Sequence, residues 1–324
     1  TLPATDRRRS GSCLVSWPVP AELRLDTGYV TAALTLPDEL GGADLASIQG
    51  EVTRLLPGGW RTSVPPPAHP HVRINVSRTA GTPRVALDGH ADAQDGEGVL
   101  VELPTSAVLS ATLAYVTYTI TERARQQRRM VSTHASALVT PEGMGVVLLG
   151  DKGTGKTSTA IALLRHGYRL LGDDLIVLAA RPEGLEVLAG KQLAALRPPN
   201  AILGYTPKPC VDLADSAAPR SAPVALAVRV GVHPATVAAV TAATPLSVLE
   251  RLRLAENLAR YITGTPTPLC LDPEVHAPVY PLDSPACAQT HTTVIRQLAD
   301  VGLRYVYAPT AQRAAGMIEE LIPR

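Results

Sequence analysis

One short segment restricts the possible folds of this chain more than any other. Gly150–Thr157 reads GDKGTGKT and fits the phosphate-binding pattern G-x-x-x-x-G-K-[ST]. The apolar run Met144–Leu149 precedes it and is typical of a strand. Lys156–His166 follows, with apolar residues on one helical face and Gly167 as a stop signal. This strand–loop–helix order predicts an α/β fold built around a P-loop.

The residue types in the loop indicate what it can bind. Its glycines let backbone N–H groups turn toward phosphates, and the helix N-terminus adds partial positive charge. Lys156 would reach the β- and γ-phosphates, and the Thr157 hydroxyl would ligate Mg²⁺. The sequence therefore predicts a bound nucleotide, ATP or GTP, with Mg²⁺. The candidate nucleotide-binding residues are Gly150, Asp151, Lys152, Gly153, Thr154, Gly155, Lys156, Thr157 and Ser158.

Two adjacent carboxylates follow the loop. Asp173 and Asp174 join two short predicted strands, Tyr168–Leu171 and Leu175–Leu178. Near a triphosphate, one carboxylate can anchor Mg²⁺ while the other accepts the proton of an attacking hydroxyl. An ordinary turn also favours aspartate, but the P-loop nearby favours the functional interpretation.

A histidine can be placed beside the P-loop by strand register. Val131–Val139 is predicted as a strand that turns at Pro141–Gly143 and pairs with the strand before the loop. This register puts His134 opposite Gly150. A lone strand histidine is usually structural, but this position indicates a phosphate contact or a proton relay.

Composition excludes several classes of protein. The chain has 324 residues, 45% hydrophobic and 18% charged, with a net charge of +1, so nothing favours nucleic acid or a membrane surface. The arginine run near the start has no apolar stretch behind it, unlike an export signal. Widely spaced cysteines argue against a disulfide scaffold or zinc site and fit a cytoplasmic location. They are Cys13, Cys210, Cys270 and Cys287.

The chain divides into two predicted parts. Residues 1–103 are expected to form a β-rich N-terminal domain that could recognise an acceptor, and residues 104–324 a larger P-loop domain that could form a homo-oligomer.

A long helix from about Pro104 to Met130 opens the second part. Its basic end could hold an acidic or phosphorylated acceptor or make a domain contact, and it contains Arg123, Arg125, Arg128 and Arg129. Further predicted strands are Tyr29–Leu36, Val72–Val76, Arg84–Leu87, Val99–Leu103, Val224–Val230 and Arg304–Ala308, and further helices are Leu246–Ile262, Ala288–Val301 and Thr310–Leu321.

The segment THASALVTPEGMGVVLLGDKGTGKTSTAIALLRHGYRLLGDDLIVL resembles the catalytic core of the HPr kinase/phosphorylase family. The similarity is close over Thr133–Ala180 and extends loosely through the C-terminal part. It is closer still to HPr-kinase-like proteins of bacterial biosynthetic clusters, some of which make lasso peptides. The resemblance implies a P-loop kinase fold with a mixed sheet, related to phosphoenolpyruvate carboxykinase, that uses ATP and Mg²⁺.

The resemblance also implies roles for individual residues. Asp174 would be the base, Asp173 a metal ligand together with Thr157, and His134 a phosphate-side group. Downstream, Leu193–Pro199 keeps an arginine, Arg197, but lacks the glutamate of the family's E-I-R-G-L-G segment. This departure argues against HPr itself as the substrate.

Three functions remain open from the sequence. The first is a kinase that phosphorylates a hydroxyl of a small metabolite or of a Ser or Thr in a peptide. The second is a nucleotide-binding regulatory protein without phosphoryl transfer. The third is an acceptor-independent ATPase, which the lack of an L-S-G-G-Q signature disfavours.

Overall fold

The computed structural model describes most of the chain from residue 22 onward. The described residues are 22–26, 29–37, 39, 42–55, 61–62, 69–81, 84–87, 97–104, 109–191, 193–195, 210–212, 220–243, 245–258 and 285–322. Within these residues, no helix is long and apolar enough to cross a membrane.

The N-terminal part of the chain forms its own six-stranded sheet, as the β-rich composition predicts. Alternate side chains are buried along the strands Glu22–Asp26 and Val72–Thr79, so one face of the sheet covers a core. The strands are β1 (Glu22–Asp26), β2 (Thr31–Thr35), β3 (Arg61–Thr62), β4 (Val72–Thr79), β5 (Arg84–Leu87) and β6 (Glu97–Pro104), in the order β3-β1-β2-β4-β6-β5.

A helix in this N-terminal region was not predicted. Helix α1 (Gly42–Leu55) buries Ile48 and Val52, which are one turn apart on the same face. This two-residue stripe is too short to stand out from the sequence. Helix α1 packs against α2 (Leu109–Gln126), the long helix that the sequence does predict.

A nine-stranded mixed sheet forms the second part of the fold. Its strands are β7 (Met130–Thr133), β8 (Ser136–Val139), β9 (Gly145–Leu149), β10 (Arg169–Gly172), β11 (Ile176–Arg181), β12 (Gly184–Leu188), β15 (Ser221–Val232), β16 (Ala239–Ala242) and β17 (Leu303–Ala308). The main path runs β10-β8-β9-β15-β12-β11-β7, and β17 and β16 branch from β15. Strand β15 is parallel to β9 and β17, and the other pairs are antiparallel. A separate hairpin pairs β13 (Leu193–Ala195) with β14 (Cys210–Asp212).

The prediction of one strand over residues 131–139 is wrong in one respect, because the structure divides this segment into two strands. Strand β7 pairs with β11, whereas β8 pairs with β9 and β10 at the other end of the sheet. Only His134 and Ala135 lie between them. The predicted register is confirmed on the second half, where Ser136 pairs with Leu148 and Val139 with Gly145.

A second short link joins the same two ends of the sheet. Strand β10 leads through residues 173–175 into β11, although these strands lie at opposite ends of the strand order. Two links this short can join the ends only if the sheet curls so that its ends approach each other. We call the meeting of the two ends, formed by residues 134–135, 173–175 and 189–191, the seam.

Helices cover both faces of the nine-stranded sheet. Helices α3 (Lys156–Leu164) and α6 (Ala311–Glu319) pack together on one face. Helices α2 and α5 (Pro285–Val301) cover the other, and α4 (Val248–Asn257) packs on α5. The core on the second face is continuous from the N-terminal sheet to β17. The fold is therefore mixed α/β with a separate β-rich sheet, as predicted, while the boundary at residues 103–104 stays a prediction.

A buried charged network fixes the start of the strand that leads to His134. Glu122 on α2 is 0% exposed and accepts hydrogen bonds from Arg125 Nη1 (3.0 Å) and from the backbone N–H of Ser132 (2.8 Å). Arg125 is only 2% exposed. A buried ion pair is costly to break because the remaining charge loses its partner.

We therefore expect Glu122→Ala to lower the free energy of unfolding by about 3–5 kcal/mol, because it removes the buried carboxylate that pairs with the Arg125 guanidinium. Urea unfolding followed by circular dichroism measures this. Glu183→Ala removes an exposed carboxylate in the turn after β11 and should change stability by less than about 0.5 kcal/mol. Equal effects of the two substitutions would contradict the structural role of Glu122.

Candidate functional site

The P-loop connects β9 to α3 as the sequence predicts. Gly155 precedes the helix with φ 96°, and a Cβ there would lie 2.8 Å from Val232 Cβ, so only glycine fits. The backbone N–H of Val232 donates to Thr154 O (2.9 Å), which ties the loop to the end of β15. Lys152 and Ser158 are exposed. The loop therefore begins a helix with its first N–H groups free of a side-chain cap.

The ammonium of Lys156 is held inside the loop. Lys156 is 7% exposed, and its Nζ donates to the carbonyl oxygens of Gly150 (2.7 Å) and Asp151 (3.1 Å). The same Nζ lies 3.2 Å from His134 Nε2. The predicted proximity of His134 to the P-loop is thus present in the structure, through this contact and not through a continuous strand.

His134 also contacts the second aspartate. Its Nδ1 lies 3.2 Å from Asp174 Oδ1, and its backbone N–H donates to Asn257 O (3.3 Å) at the end of α4. The ring therefore bridges Lys156 and Asp174. The structure brings together three of the groups that the sequence predicts as functional.

Asp173 points to the beginning of α3. It is 1% exposed and accepts hydrogen bonds from Ser136 Oγ and from Thr157 Oγ1, which is 3.0 Å from Oδ2. Burial raises the pKa of Asp173, and the two hydroxyl donors only partly offset this. A carboxylate and a hydroxyl are thus adjacent at the position where a P-loop protein binds its metal.

Asp174 has a different environment from its neighbour. Its φ of 68° is left-handed, a conformation that aspartate adopts more readily than most residues. Its Oδ2 lies 3.4 Å from Lys191 Nζ. Burial alone would raise the pKa of Asp174, but the hydrogen bond with His134 and the charge of Lys191 outweigh it and hold that pKa well below its usual value. Asp174 is therefore ionised at neutral pH.

The backbone of residues 189–191 fixes the aspartate link. Asp173 N–H donates to Lys191 O (2.7 Å), and Lys191 N–H donates to Leu175 O (2.9 Å). Gly172 and Gly190 are in direct contact, because a Cβ on Gly172 would lie 2.6 Å from Gly190 Cα. Three backbone segments therefore meet at the seam and set where both carboxylates point.

Sequence reasoning missed Ser136, Gly190 and Lys191. Ser136 lies two residues after His134 on the predicted strand, so its proximity to the site could have been read from the register. The only sequence signal for Lys191 is that lysine is a rare residue type in this chain. Arg197 lies outside the described residues.

The basic end of α2 mostly makes internal contacts. Arg125 is buried against Glu122, and Arg123 pairs with Glu97 on β6 (3.1 Å). Arg128 Nη1 donates to the backbone oxygen of Ala124 (2.9 Å). These contacts favour the domain-contact interpretation of the basic run over an acceptor site.

The residues present fit a nucleotide with Mg²⁺. Oxygen donors such as the Thr157 hydroxyl and the Asp173 carboxylate are the ligands that Mg²⁺ prefers. In the part of the chain that the structure describes, no three His, Cys, Asp or Glu side chains form a metal cluster. With a bound nucleotide, phosphates and water would supply the remaining ligands of Mg²⁺.

Comparison with known proteins supports the same family as the sequence motif. Residues 126–197 match the family model described as HPr Serine kinase C-terminal domain, and they include the P-loop, His134 and both aspartates. The HPr kinase/phosphorylase of Lactobacillus delbrueckii subsp. bulgaricus is 36% identical over 101 residues, 31% of this chain and 29% of that protein. Residues 126–197 are therefore similar in sequence to HPr kinases, and we call them the HPr-kinase-like core.

Other relatives match this chain over a similar length. The HPr kinase/phosphorylase of Streptococcus thermophilus is 35% identical over 112 residues, 34% of this chain and 33% of that protein. The similarity thus spans about a third of the length of these curated relatives. The structure of the Hpr(Ser) kinase/phosphatase from Coxiella burnetii aligns with 59% of this chain and 92% of that chain, at 16% identity and a TM-score of 0.27.

The contact between the two seam glycines gives a test of the HPr-kinase-like core. Gly190→Ala would place a Cβ against Leu175 O and Ile176 Cα, so we expect a loss of about 1–3 kcal/mol in the free energy of unfolding. Thermal unfolding measures it.

The matched control is Gly316→Ala in α6, where a Cβ meets nothing within 4 Å. This variant should be as stable as the wild type or up to about 1 kcal/mol more stable, because alanine favours a helix. A Gly190→Ala variant as stable as Gly316→Ala would show that the seam is looser than the structure indicates.

Proposed function

We propose that this chain is an ATP- and Mg²⁺-dependent kinase that transfers the γ-phosphoryl group to a hydroxyl. The observation that carries the proposal is the convergence of Lys156, His134 and Asp174 beside a P-loop whose Thr157 contacts Asp173. A motif match alone would indicate only a phosphate. The additional carboxylate and imidazole are what transfer to an acceptor requires.

Each residue has a proposed task in the reaction. Lys156 and the N–H groups of the P-loop bind and orient the phosphates. Thr157 and Asp173 would hold Mg²⁺, which when bound neutralises charge on the phosphate oxygens. Asp174 accepts the proton of the acceptor hydroxyl while the new oxygen–phosphorus bond forms and the bond to the leaving ADP breaks. His134 orients Asp174 through Nδ1.

The low pKa of Asp174 bears on its task as a base. A carboxylate held ionised is always ready to accept a proton, although it is a weaker base than one with a higher pKa. Phosphoryl transfer passes through a loose transition state in which little proton transfer has occurred. Orientation of the hydroxyl by Asp174 is therefore its main contribution.

The acceptor is proposed as a small metabolite or a Ser or Thr of a peptide in a biosynthetic pathway. The relatives are named HPr kinase/phosphorylase. The missing glutamate in residues 193–199 of this chain argues for a different acceptor from theirs. The N-terminal sheet, which is in continuous contact with the core through α1 and α2, is proposed to recognise that acceptor.

The kinase proposal predicts a specific effect of removing the P-loop lysine. Lys156→Ala should abolish formation of the phosphorylated acceptor, because Lys156 supplies the positive charge at the phosphates. Incubation with ATP, Mg²⁺ and candidate peptides and metabolites, followed by mass spectrometry, measures the product. Arg313→Ala on the exposed side of α6 is the matched loss of a cation and should leave the product yield unchanged.

Other outcomes of this assay point to the alternatives. A Lys156→Ala variant that still formed product would contradict the kinase proposal. Rapid ATP hydrolysis without an acceptor would favour an ATPase. Tight ATP binding without transfer to any acceptor would favour a nucleotide-binding regulatory protein.

The different environments of the two aspartates predict different kinetic defects. Asp173→Asn should raise the Mg²⁺ concentration needed for half-maximal activity, because it removes a metal ligand. Asp174→Asn should lower kcat by about 10²–10⁴ with little change in the Mg²⁺ requirement, because it removes the carboxylate that orients the acceptor hydroxyl and accepts its proton. Titration of Mg²⁺ at saturating ATP separates them. Identical defects would show that the two residues share one task.

A further inference from the structure

Lys191 is a buried cation in the seam that neither the P-loop pattern nor the aspartate pair includes. Its side chain is 13% exposed, and its Nζ lies 3.4 Å from Asp174 Oδ2. It follows β12 by three residues and precedes the hairpin strand β13. A buried ammonium needs a partner, and among the described residues Asp174 is the carboxylate that it contacts.

The backbone around Lys191 is fixed on both sides. Its N–H donates to Leu175 O and its C=O accepts from Asp173 N–H. The preceding Gly190 N–H donates to Leu171 O (2.8 Å). The backbone of residue 191 therefore keeps its position relative to residues 173–175, whichever side chain it carries.

The contacts of Asp174 and His134 form a linear network of side chains from Lys191 to Lys156. Asp174 uses Oδ2 for Lys191 and Oδ1 for His134 Nδ1, and His134 Nε2 faces Lys156 Nζ. An ammonium can only donate, so Nε2 must accept. The proton of the neutral imidazole is then on Nδ1, which faces Asp174 Oδ1 at 3.2 Å.

Each end of this network is a cation, Lys191 or Lys156, and a carboxylate and an imidazole lie between them. If the charge of Lys191 were absent, Asp174 would keep one partner instead of two. Its left-handed backbone conformation is one that persists only where surrounding contacts hold it, and Lys191 and His134 supply two such contacts. The carboxyl group of the adjacent Asp173 is also buried, and Ser136 and Thr157 donate hydrogen bonds to it.

We propose that Lys191 is a positioning residue of the transfer site, which holds Asp174 against His134 and so keeps His134 Nε2 as an acceptor facing Lys156. The relevance to catalysis rests on the kinase function proposed above. The arrangement of side chains does not, because it is a property of the chain without nucleotide. The two can therefore be tested separately.

The first measurement reads the imidazole directly. Nitrogen-15 spectra of the histidine-labelled full chain, at one neutral pH and without nucleotide, report which ring nitrogen carries the proton, and His134→Gln assigns the signal. We expect the Nδ1–H form in the wild type and in Lys191→Arg. Lys191→Met should give a mixture with a clearly increased share of the Nε2–H form. Arg169→Met, the loss of an exposed cation on β10, should match the wild type.

The second measurement separates positioning from binding and folding. Lys191→Met should lower kcat by about 10- to 100-fold, as is typical when a partner of a functional group is removed. Its dissociation constant for ATP should stay within about threefold of the wild type, because Lys191 contacts Asp174 and not the P-loop. Lys191→Arg should restore most of the lost kcat.

The outcomes are distinct. An unchanged His134 signal in Lys191→Met overturns the proposal, as does a kcat within twofold of the wild type. The proposal is also overturned if Lys191→Met and Lys191→Arg lose the same amount of kcat and the same amount of melting temperature, because such losses indicate a purely structural role. If the wild type transfers no phosphate but Lys191→Met still changes the His134 signal, the kinase function fails and the positioning by Lys191 stands.

Discussion

A lysine ammonium that is almost completely buried needs hydrogen-bond acceptors on every side, and Lys156 finds three in Gly150 O, Asp151 O and His134 Nε2. Two of these are backbone oxygens of the loop itself, so the loop conformation and the position of the charge depend on each other. The third acceptor extends the network out of the loop to the seam. Through this acceptor the buried cation contacts His134, whose Nδ1 in turn lies 3.2 Å from Asp174 Oδ1.

The curled sheet explains why residues far apart in sequence meet at this ammonium. Strands β7 and β8 are consecutive, as are β10 and β11, yet the members of each pair lie near opposite ends of the strand order. Each connection is two or three residues long, and each contains residues of the site. The sheet therefore supplies the site with backbone that is pinned at both ends, which limits the motion of side chains carried on it.

The sequence predicts the phosphate-binding half of the site better than the rest. The P-loop, the strand before it and the helix after it follow from local pattern, and the register of β8 and β9 follows from one turn of known length. The division of the strand at His134 could not be predicted, because the segment Val131–Val139 contains no glycine or proline to mark a break and resembles one strand. Lys191 and Gly190 were missed for another reason. Their contacts with the aspartate link join strands that only the curl of the sheet brings together.

The seam separates two physical properties that a simpler P-loop protein would combine. The proposed phosphate-binding loop belongs to one continuous piece of chain, from β9 into α3. The groups proposed to act on the acceptor side of the phosphate are supplied by three other segments, which hydrogen bonds between neighbouring backbones hold in place. A substitution in any one of these segments can therefore change the chemistry at the seam and leave the phosphate loop intact, so affinity for ATP alone does not report which reaction such a chain catalyses.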